Sequence, residues 1–317
     1  MDRISLLPDS ILCDILSYLP TKEAVTTSIL SRRWRHVWKD LQVLDIDDTP
    51  FYSFLKWEDR FRSYVNAILT QRNVDYPIER FRFTCYQISQ SLLLTWLNAV
   101  ICPHLQELHL DINLMFGINL PEAILTCPSL KSLTLKRESS LYCYPKFPNV
   151  YLPSLKNLEL DALSVDPSKL LSGCPVLENL KLFLQSHDFF PVYVPTIHMP
   201  CALKSLIFDD NTTVHNDISH RVIDTPFLEY LDMKIIVTSK LQVSFSNFPN
   251  MVEAHLDILH DGVKHCLFSG QAFKFPEFPG LLNLELDVPS FKTNFLLNFL
   301  HNCHVLESLV IHDVFEV

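Results

Sequence analysis

Glycine is scarce in this chain, with 5 residues in 317. No glycine-rich loop that could cradle a phosphate is present, and neither Gly-x-Ser-x-Gly nor His-Glu-x-x-His occurs. Those gaps remove the usual grounds for a nucleotide-dependent enzyme, an elbow-type serine hydrolase or a zinc peptidase. The nine cysteines contain no Cys-x-x-Cys pair, so zinc-site spacing is missing. Positive charge is short: 26 Lys and Arg against 36 Asp and Glu leave a formal charge of −10, which argues against a general nucleic-acid surface. Long hydrophobic runs are lacking too. One long uncharged stretch, Phe83 to Ile101, is interrupted by Gln87, Ser89, Gln90, Ser91 and Asn98, well short of a continuous membrane span. Met1 to Asp9 carry an early acid and a proline, unlike a secretory leader. The expectation is a soluble, intracellular protein, in the nucleus and/or cytoplasm, with no cofactor, no metal, no nucleic acid and no membrane among its partners.

What is present is apolar residues, 48% of the chain, arranged with a period. Cys127-Pro128-Ser129-Leu130-Lys131-Ser132-Leu133-Thr134-Leu135 shares its frame with segments starting at Cys102 and Cys174. The frame is a proline, then Leu-x-x-Leu-x-Leu. Its first anchor recurs at Leu105, Leu130, Leu155, Leu177, Leu203, Leu228, Met251, Leu281 and Leu306, spaced by 22 to 30 residues. That spacing matches the window of leucine-rich repeats. In Leu-x-Leu both leucines face one side of a strand, and stacked units bury together what one unit cannot. A weaker copy begins at Ile78, and Leu41-Gln42-Val43-Leu44-Asp45-Ile46 already follows the frame. Cys102, Cys127, Cys174 and Cys303 each stand three residues before an anchor, which marks a repeated structural slot rather than a metal site. Helical context precedes the strands at 123–125, 170–171 and 299–300. Phe189 to Pro195 and most of His260 to Phe278 read as loops.

Residues 4–40 stand outside the repeat. Pro8 and Asp9 suit a helix start, and Ile11, Leu12, Ile15, Leu16 and Leu19 form one helical stripe that Pro20 stops. Thr21 and Ser31 are candidate caps for two more short helices, the last carrying Trp34, Val37 and Trp38. Three apolar helices of about forty residues rarely fold alone. They require a permanent partner or firm packing on the repeats.

Leu7-Pro8-x-x-Ile11-Leu12-x-x-Ile15-Leu16-Ser17-x-Leu19-Pro20, followed by Leu30-Ser31-Arg32-Arg33-Trp34-Arg35-x-Val37-Trp38, closely resembles the F-box. With the repeats behind it, the chain resembles the plant F-box/leucine-rich-repeat proteins, including the group that ends in an FBD domain. The chain runs only six residues past Ile311, so an FBD domain is not expected within it: either this member lacks one or the chain is shortened. The resemblance implies an α/β fold: an N-terminal three-helix F-box (residues 1–46), a linker and capping helix (47–76), on which the residue pattern makes Phe54, Phe61, Tyr64, Val65, Ile68 and Leu69 one helical stripe, and a curved solenoid of nine to ten repeats (77–317) with a parallel sheet on its concave face. It also implies a non-catalytic substrate receptor of a Skp–cullin–F-box ubiquitin ligase. The residues expected to meet the Skp adaptor, and through it cullin, are Leu7, Pro8, Ile11, Leu12, Ile15, Leu16, Leu19, Pro20, Trp34 and Trp38. Arg32, Arg33 and Arg35 have two readings: a solvated basic face beside them, placed to meet acidic adaptor residues, which is the usual one for so short a charge run, or a nuclear-import or nucleic-acid contact.

On each strand the positions two, four and six after the anchor point away from the leucines. They hold ten acids and three lysines, most of the chain's net charge. Glu107, His109, Glu159, Lys181, Tyr230, Asp232, His255 and Glu285 are therefore the candidate target-binding residues, for a target with a basic segment. Ordinary turn chemistry explains part of the same acid pattern. Two other functions stay open: a hormone-like small-molecule sensor, which a cluster of basic residues on that face would favour, and a scaffold that binds the adaptor without delivering a target.

Overall fold

The computed structural model describes residues 4–86, 88–112, 120–136, 149–163, 166–185, 196–212, 218–237, 241–260, 273–274, 277–288, 297 and 299–313. It divides into two compact units, residues 1–141 and 142–317.

The first unit opens with three short helices, α1 (Asp9–Leu16), α2 (Thr21–Thr26) and α3 (Trp34–Val37), and runs directly into strand β1 (Val43–Asp47). Then follow α4 (Trp57–Gln71), β2 (Arg80–Cys85), α5 (Gln90–Val100), β3 (Glu107–Ile112), α6 (Glu122–Leu125) and β4 (Ser132–Lys136). All four strands are parallel and lie in chain order. The pairing puts Leu44, Phe81, Leu108 and Leu133 in one row, and the Leu-x-Leu alternation turns that whole row inward. Helices α4 and α5 return between the strands and cover the row, with Phe61 ring to ring against Phe83 and Trp96, each at 6.0 Å.

Helix α4 was expected to cap the open end of the sheet. It instead connects β1 to β2 as an ordinary return segment, because β1 already occupies the edge ahead of it. Of the expected stripe, Phe61, Val65 and Ile68 are buried and Tyr64 and Leu69 half-buried, while Phe54 precedes the helix and is exposed.

In the second unit, β5 (Asn157–Leu163), α7 (Ser168–Ser172) and β6 (Asn179–Gln185) continue the same plan. The return path then becomes extended. Strands β7 (Thr196–His198), β9 (Ser219–Ile223), β11 (Leu241–Phe245) and β13 (Phe273–Lys274) form a second parallel sheet. They alternate along the chain with β8 (Ser205–Asn211), β10 (Tyr230–Val237), β12 (Glu253–His260) and β14 (Asn283–Val288) of the sheet that contains β5 and β6, which closes with β15 (Ser308–Asp313). The return strands are a finding that the sequence reading did not contain. Of the three with described side chains, β11 alternates apolar and polar residues most plainly (Leu241, Val243, Phe245). The expected loops at 189–195 and within 260–278 lie largely outside the described residues.

Eight of the nine repeat anchors, Leu105 through Leu281, have no exposed surface, so the period read from the sequence is the period of the core. One recurrent contact sets the stagger. The carbonyl just after seven of the nine anchors accepts two amides of the next strand's start, as Gln106 does from Lys131 and Ser132, and Lys204 from Glu229 and Tyr230. Both lone pairs are used, and the junction is fixed without glycine. Glycine is required at 173, in the shortest repeat, where a Cβ would lie 2.6 Å from the carbonyl oxygen of Val150. The cysteine slot is confirmed as structural. Cys102, Cys127, Cys174 and Cys303 donate to backbone carbonyls, and burial pushes the Cys174 thiol up to about 12, away from reactivity.

No helix among the described residues is long and apolar enough to cross a membrane.

Candidate functional site

Two surfaces collect side chains that packing does not use. The first is on the N-terminal helices. In α1 the inward row is Leu12 and Leu16, buried with Ala24, Trp34, Val37 and Trp38. Leu12 is fully buried, worth on the order of 2 kcal/mol. The neighbouring row one residue earlier, Ile11 and Ile15, is 42% and 43% exposed. Both rows repeat at i, i+4, so the helix carries two apolar stripes side by side, and the protein uses only one.

The module is tied to the repeats from its inner side. Thr21 does not cap α2. It is buried, and its hydroxyl accepts the Asp45 N–H of β1 at 2.8 Å, while Cys13 Sγ donates to the Val37 carbonyl at 3.5 Å. These links explain how three helices too small to stand alone keep their shape. The same module also exposes Ile4, Leu6, Tyr18, Ile29 and Leu30, with Ile29 at 86% exposure and Leu30 at 65%. Pro8 and Pro20 are exposed, and Leu7 and Leu19 half-buried.

The ten residues expected to meet an adaptor thus fall into two sets. Leu7, Pro8, Ile11, Ile15, Leu19 and Pro20 are at least partly open. Leu12, Leu16, Trp34 and Trp38 are buried in the chain itself, and this corrects their expected role: they hold the helices together, because a stripe wide enough for two faces must spend one on the core. The sequence reading missed Ile29 and Leu30.

The second surface is the polar face of the second unit. Pairing aligns Glu159, Lys181, Ile207, Asp232, His255, Glu285 and Val310 in one row across seven strands. Phe183, Asp209, Lys234, Asp257, Asp287 and His312 form the next. The second unit's predicted target residues therefore share the face, with Tyr230 one row away. Glu107 and His109 are on β3 of the first unit.

His255 lies between two carboxylates, Nδ1 at 3.2 Å from Asp232 and Nε2 at 3.1 Å from Asp287. Burial pushes its pKa down, but the hydrogen bond to Asp287 and the charges of Asp232, Glu285 and Asp287 more than offset this, and the net direction is up. Lys234 sits 3.2 Å from Asp257, whose hydrogen bond raises the lysine, and His312 reaches Glu285 at 2.8 Å. Burial raises the Asp209 carboxyl against the pull of Lys234. Among the described residues no group of three or more His, Cys, Asp or Glu is placed to hold a metal ion.

A family model described as the F-box domain matches residues 4–45, the segment whose helices carry the two apolar rows. A second, described as the repeats of the FBD-associated F-box protein At5g56370, matches residues 93–252, half of the chain. The chain belongs to the F-box/leucine-rich-repeat family. F-box/LRR-repeat protein At4g14096 of Arabidopsis thaliana is 33% identical over 270 residues, covering 81% of this chain and 54% of its own length. At4g14103 of the same plant is 34% identical over 81% of this chain and 68% of its own length. At5g22670, an F-box/FBD/LRR-repeat protein, is 29% identical and aligns with 99% of this chain. This F-box/LRR chain spans about half the length of the first of these relatives. No solved structure matches it.

Proposed function

We propose that this chain is the non-catalytic substrate-recognition subunit of a Skp–cullin–F-box ubiquitin ligase. The F-box docks on the Skp adaptor, which links it to cullin, and the repeats hold the target. The observation that carries this reading is the outer apolar row of the F-box. Ile11 and Ile15 stand open beside an already filled core, and Leu6, Pro8, Ile29 and Leu30 of the same module are exposed too. An apolar helix face of this kind fits a helical groove on a partner. No bond is made by this chain. It raises the effective concentration of a target lysine near a conjugating enzyme.

The test is co-expression with a Skp-type adaptor followed by size-exclusion chromatography, with Ile11→Asp plus Ile15→Asp as the control. A one-to-one complex is expected, lost in the control. A wild-type chain that stays folded by circular dichroism yet elutes alone overturns the reading.

The target surface has a charge preference. Strands β8, β10, β12 and β14 present Asp209, Asp232, Glu253, Asp257, Glu285 and Asp287 against Lys234 on one face. This favours a target with a basic segment, and it disfavours a carboxylate or phosphate ligand there. Binding of a lysine- and arginine-rich peptide is expected to weaken as salt rises from 50 to 300 mM, a screening change on the order of a twofold shorter Debye length. Binding that is indifferent to salt, or strengthens with it, removes the basic-target reading.

A further inference from the structure

The three arginines of Ser31-Arg32-Arg33-Trp34-Arg35 read, on sequence, as one solvated basic face. The structure sets Arg33 apart. Its Nε donates to Asp9 Oδ1 at 2.9 Å, its Nη2 donates to the same oxygen at 2.5 Å, and Nη2 also reaches the carbonyl of Leu7. Arg33 stands immediately before α3, next to the buried Trp34. One guanidinium therefore ties the start of α3 to the start of α1, across 24 to 26 residues of sequence.

The segment it reaches carries Leu6, Leu7 and Pro8. Other hydrogen bonds described there are local: Leu7 N–H to Ile4 at 3.0 Å and Leu12 N–H to Pro8 at 3.1 Å. Pro8 stands at the N-cap of α1 and offers no side-chain cap. Left to local bonds, Leu7-Pro8 would leave the helix start at an angle set by one turn of backbone. The arginine fork gives it a second reference point on α3.

We propose that Arg33 is a positioning residue for adaptor docking. It holds Leu7-Pro8 and the outer row of α1 in register with the Ile29–Leu30 corner ahead of α3, so that the two halves meet a partner as one preformed surface. This rests on the adaptor reading above and adds to it the residue that orders the surface. The pair is exposed, at 38% for Arg33 and 62% for Asp9, so it adds little to overall stability. Its effect is the ordering cost that the complex no longer bears.

The alternative for Arg33 is direct pairing with an acidic adaptor residue, and the two readings differ at Asp9. A positioning role needs Asp9, while a direct contact competes with it. Binding kinetics of the full chain to a recombinant Skp-type adaptor decide between them. Arg33→Gln and Asp9→Ala are each expected to weaken binding about fivefold to tenfold. The double variant should be no weaker than either single one, and Arg33→Lys should recover only part. In the free chain, amide exchange of residues 6–12 should rise in Arg33→Gln while the thermal midpoint moves by less than about 2 °C. Wild-type affinity in Arg33→Gln overturns the proposal. So does an Asp9→Ala variant that binds as tightly as wild type, or more tightly, while Arg33→Gln binds poorly. A wild-type chain that fails to bind overturns the adaptor reading itself, and the proposal with it.

Discussion

Arg221→Met is expected to destabilise the second unit by about 3–5 kcal/mol, more than any surface substitution in the chain. Arg221 on β9 is 1% exposed and Asp210 on β8 is fully buried, joined by Nε to Oδ2 at 2.7 Å. The network around them is well satisfied. Asp210 Oδ1 accepts from the Thr212 N–H and hydroxyl, Arg221 Nη1 donates to the His220 carbonyl at 3.2 Å, and Nη2 reaches Thr212 Oγ1 at 3.4 Å. Removing the guanidinium leaves a carboxylate in an apolar core with its charge uncompensated, and that desolvation penalty dominates the effect. The carboxylate must then take up a proton or the strand end must open. Thermal unfolding should show the midpoint falling by roughly 8–15 °C. Adding Asp210→Asn to Arg221→Met should return part of the loss, because the neutral amide no longer needs a cation. Arg221→Met at wild-type stability would mean that the buried pair contributes nothing beyond its volume. An Asp210→Asn change that only deepens the loss would point to the Thr212 turn, and not to the charge, as what Asp210 supplies.

Leu12→Ala is expected to cost about 2–5 kcal/mol, while Ile11→Ala, one residue earlier on the same helix, stays within about 0.5 kcal/mol. The two side chains are chemically alike. Leu12 has no exposed surface and packs in a core with Leu16, Trp34 and Val37, so truncation opens a cavity. Ile11, 42% exposed, leaves only solvent behind. Adaptor binding should rank the pair the other way, with Ile11→Ala weakening the complex while the F-box stays folded. Denaturant unfolding paired with a binding titration checks both halves. If Ile11→Ala destabilises as much as Leu12→Ala, the outer row is part of the core and the docking surface described here does not exist.

Much of this architecture was legible because repetition multiplies a weak signal. One Leu-x-x-Leu-x-Leu segment could belong to many folds. Nine at a near-constant spacing leave little choice, since each strand needs the next to bury its leucines. The F-box was legible for a different reason: its prolines, paired leucines and Ser-Arg-Arg-Trp run occur together at fixed spacing.

The return strands were not legible. Ser219-His220-Arg221-Val222-Ile223 places an arginine inward, and such a segment has no amphipathic pattern until a carboxylate from another strand neutralises it. The partner did leave a trace. Asp210 stands seven residues after its anchor, where other repeats place Ile112, Leu184, Ile235 and Ile258. An acid at a core position implies a buried cation, but only the fold says which one.

The sequence by itself determined the repeat, the strand faces, the acid-rich polar surface and the F-box helices, because each is written in local periodicity, and periodicity fixes which side chains share a side. Tertiary structure decided the rest. It chose which of two adjacent apolar rows on α1 becomes core, turned Thr21 from a helix cap into a strand acceptor, bent Arg33 back onto Leu7 and Asp9, and set His255 between Asp232 and Asp287. Each of those outcomes depends on a contact between residues 20 or more positions apart, and such a contact has no signature in either segment read alone.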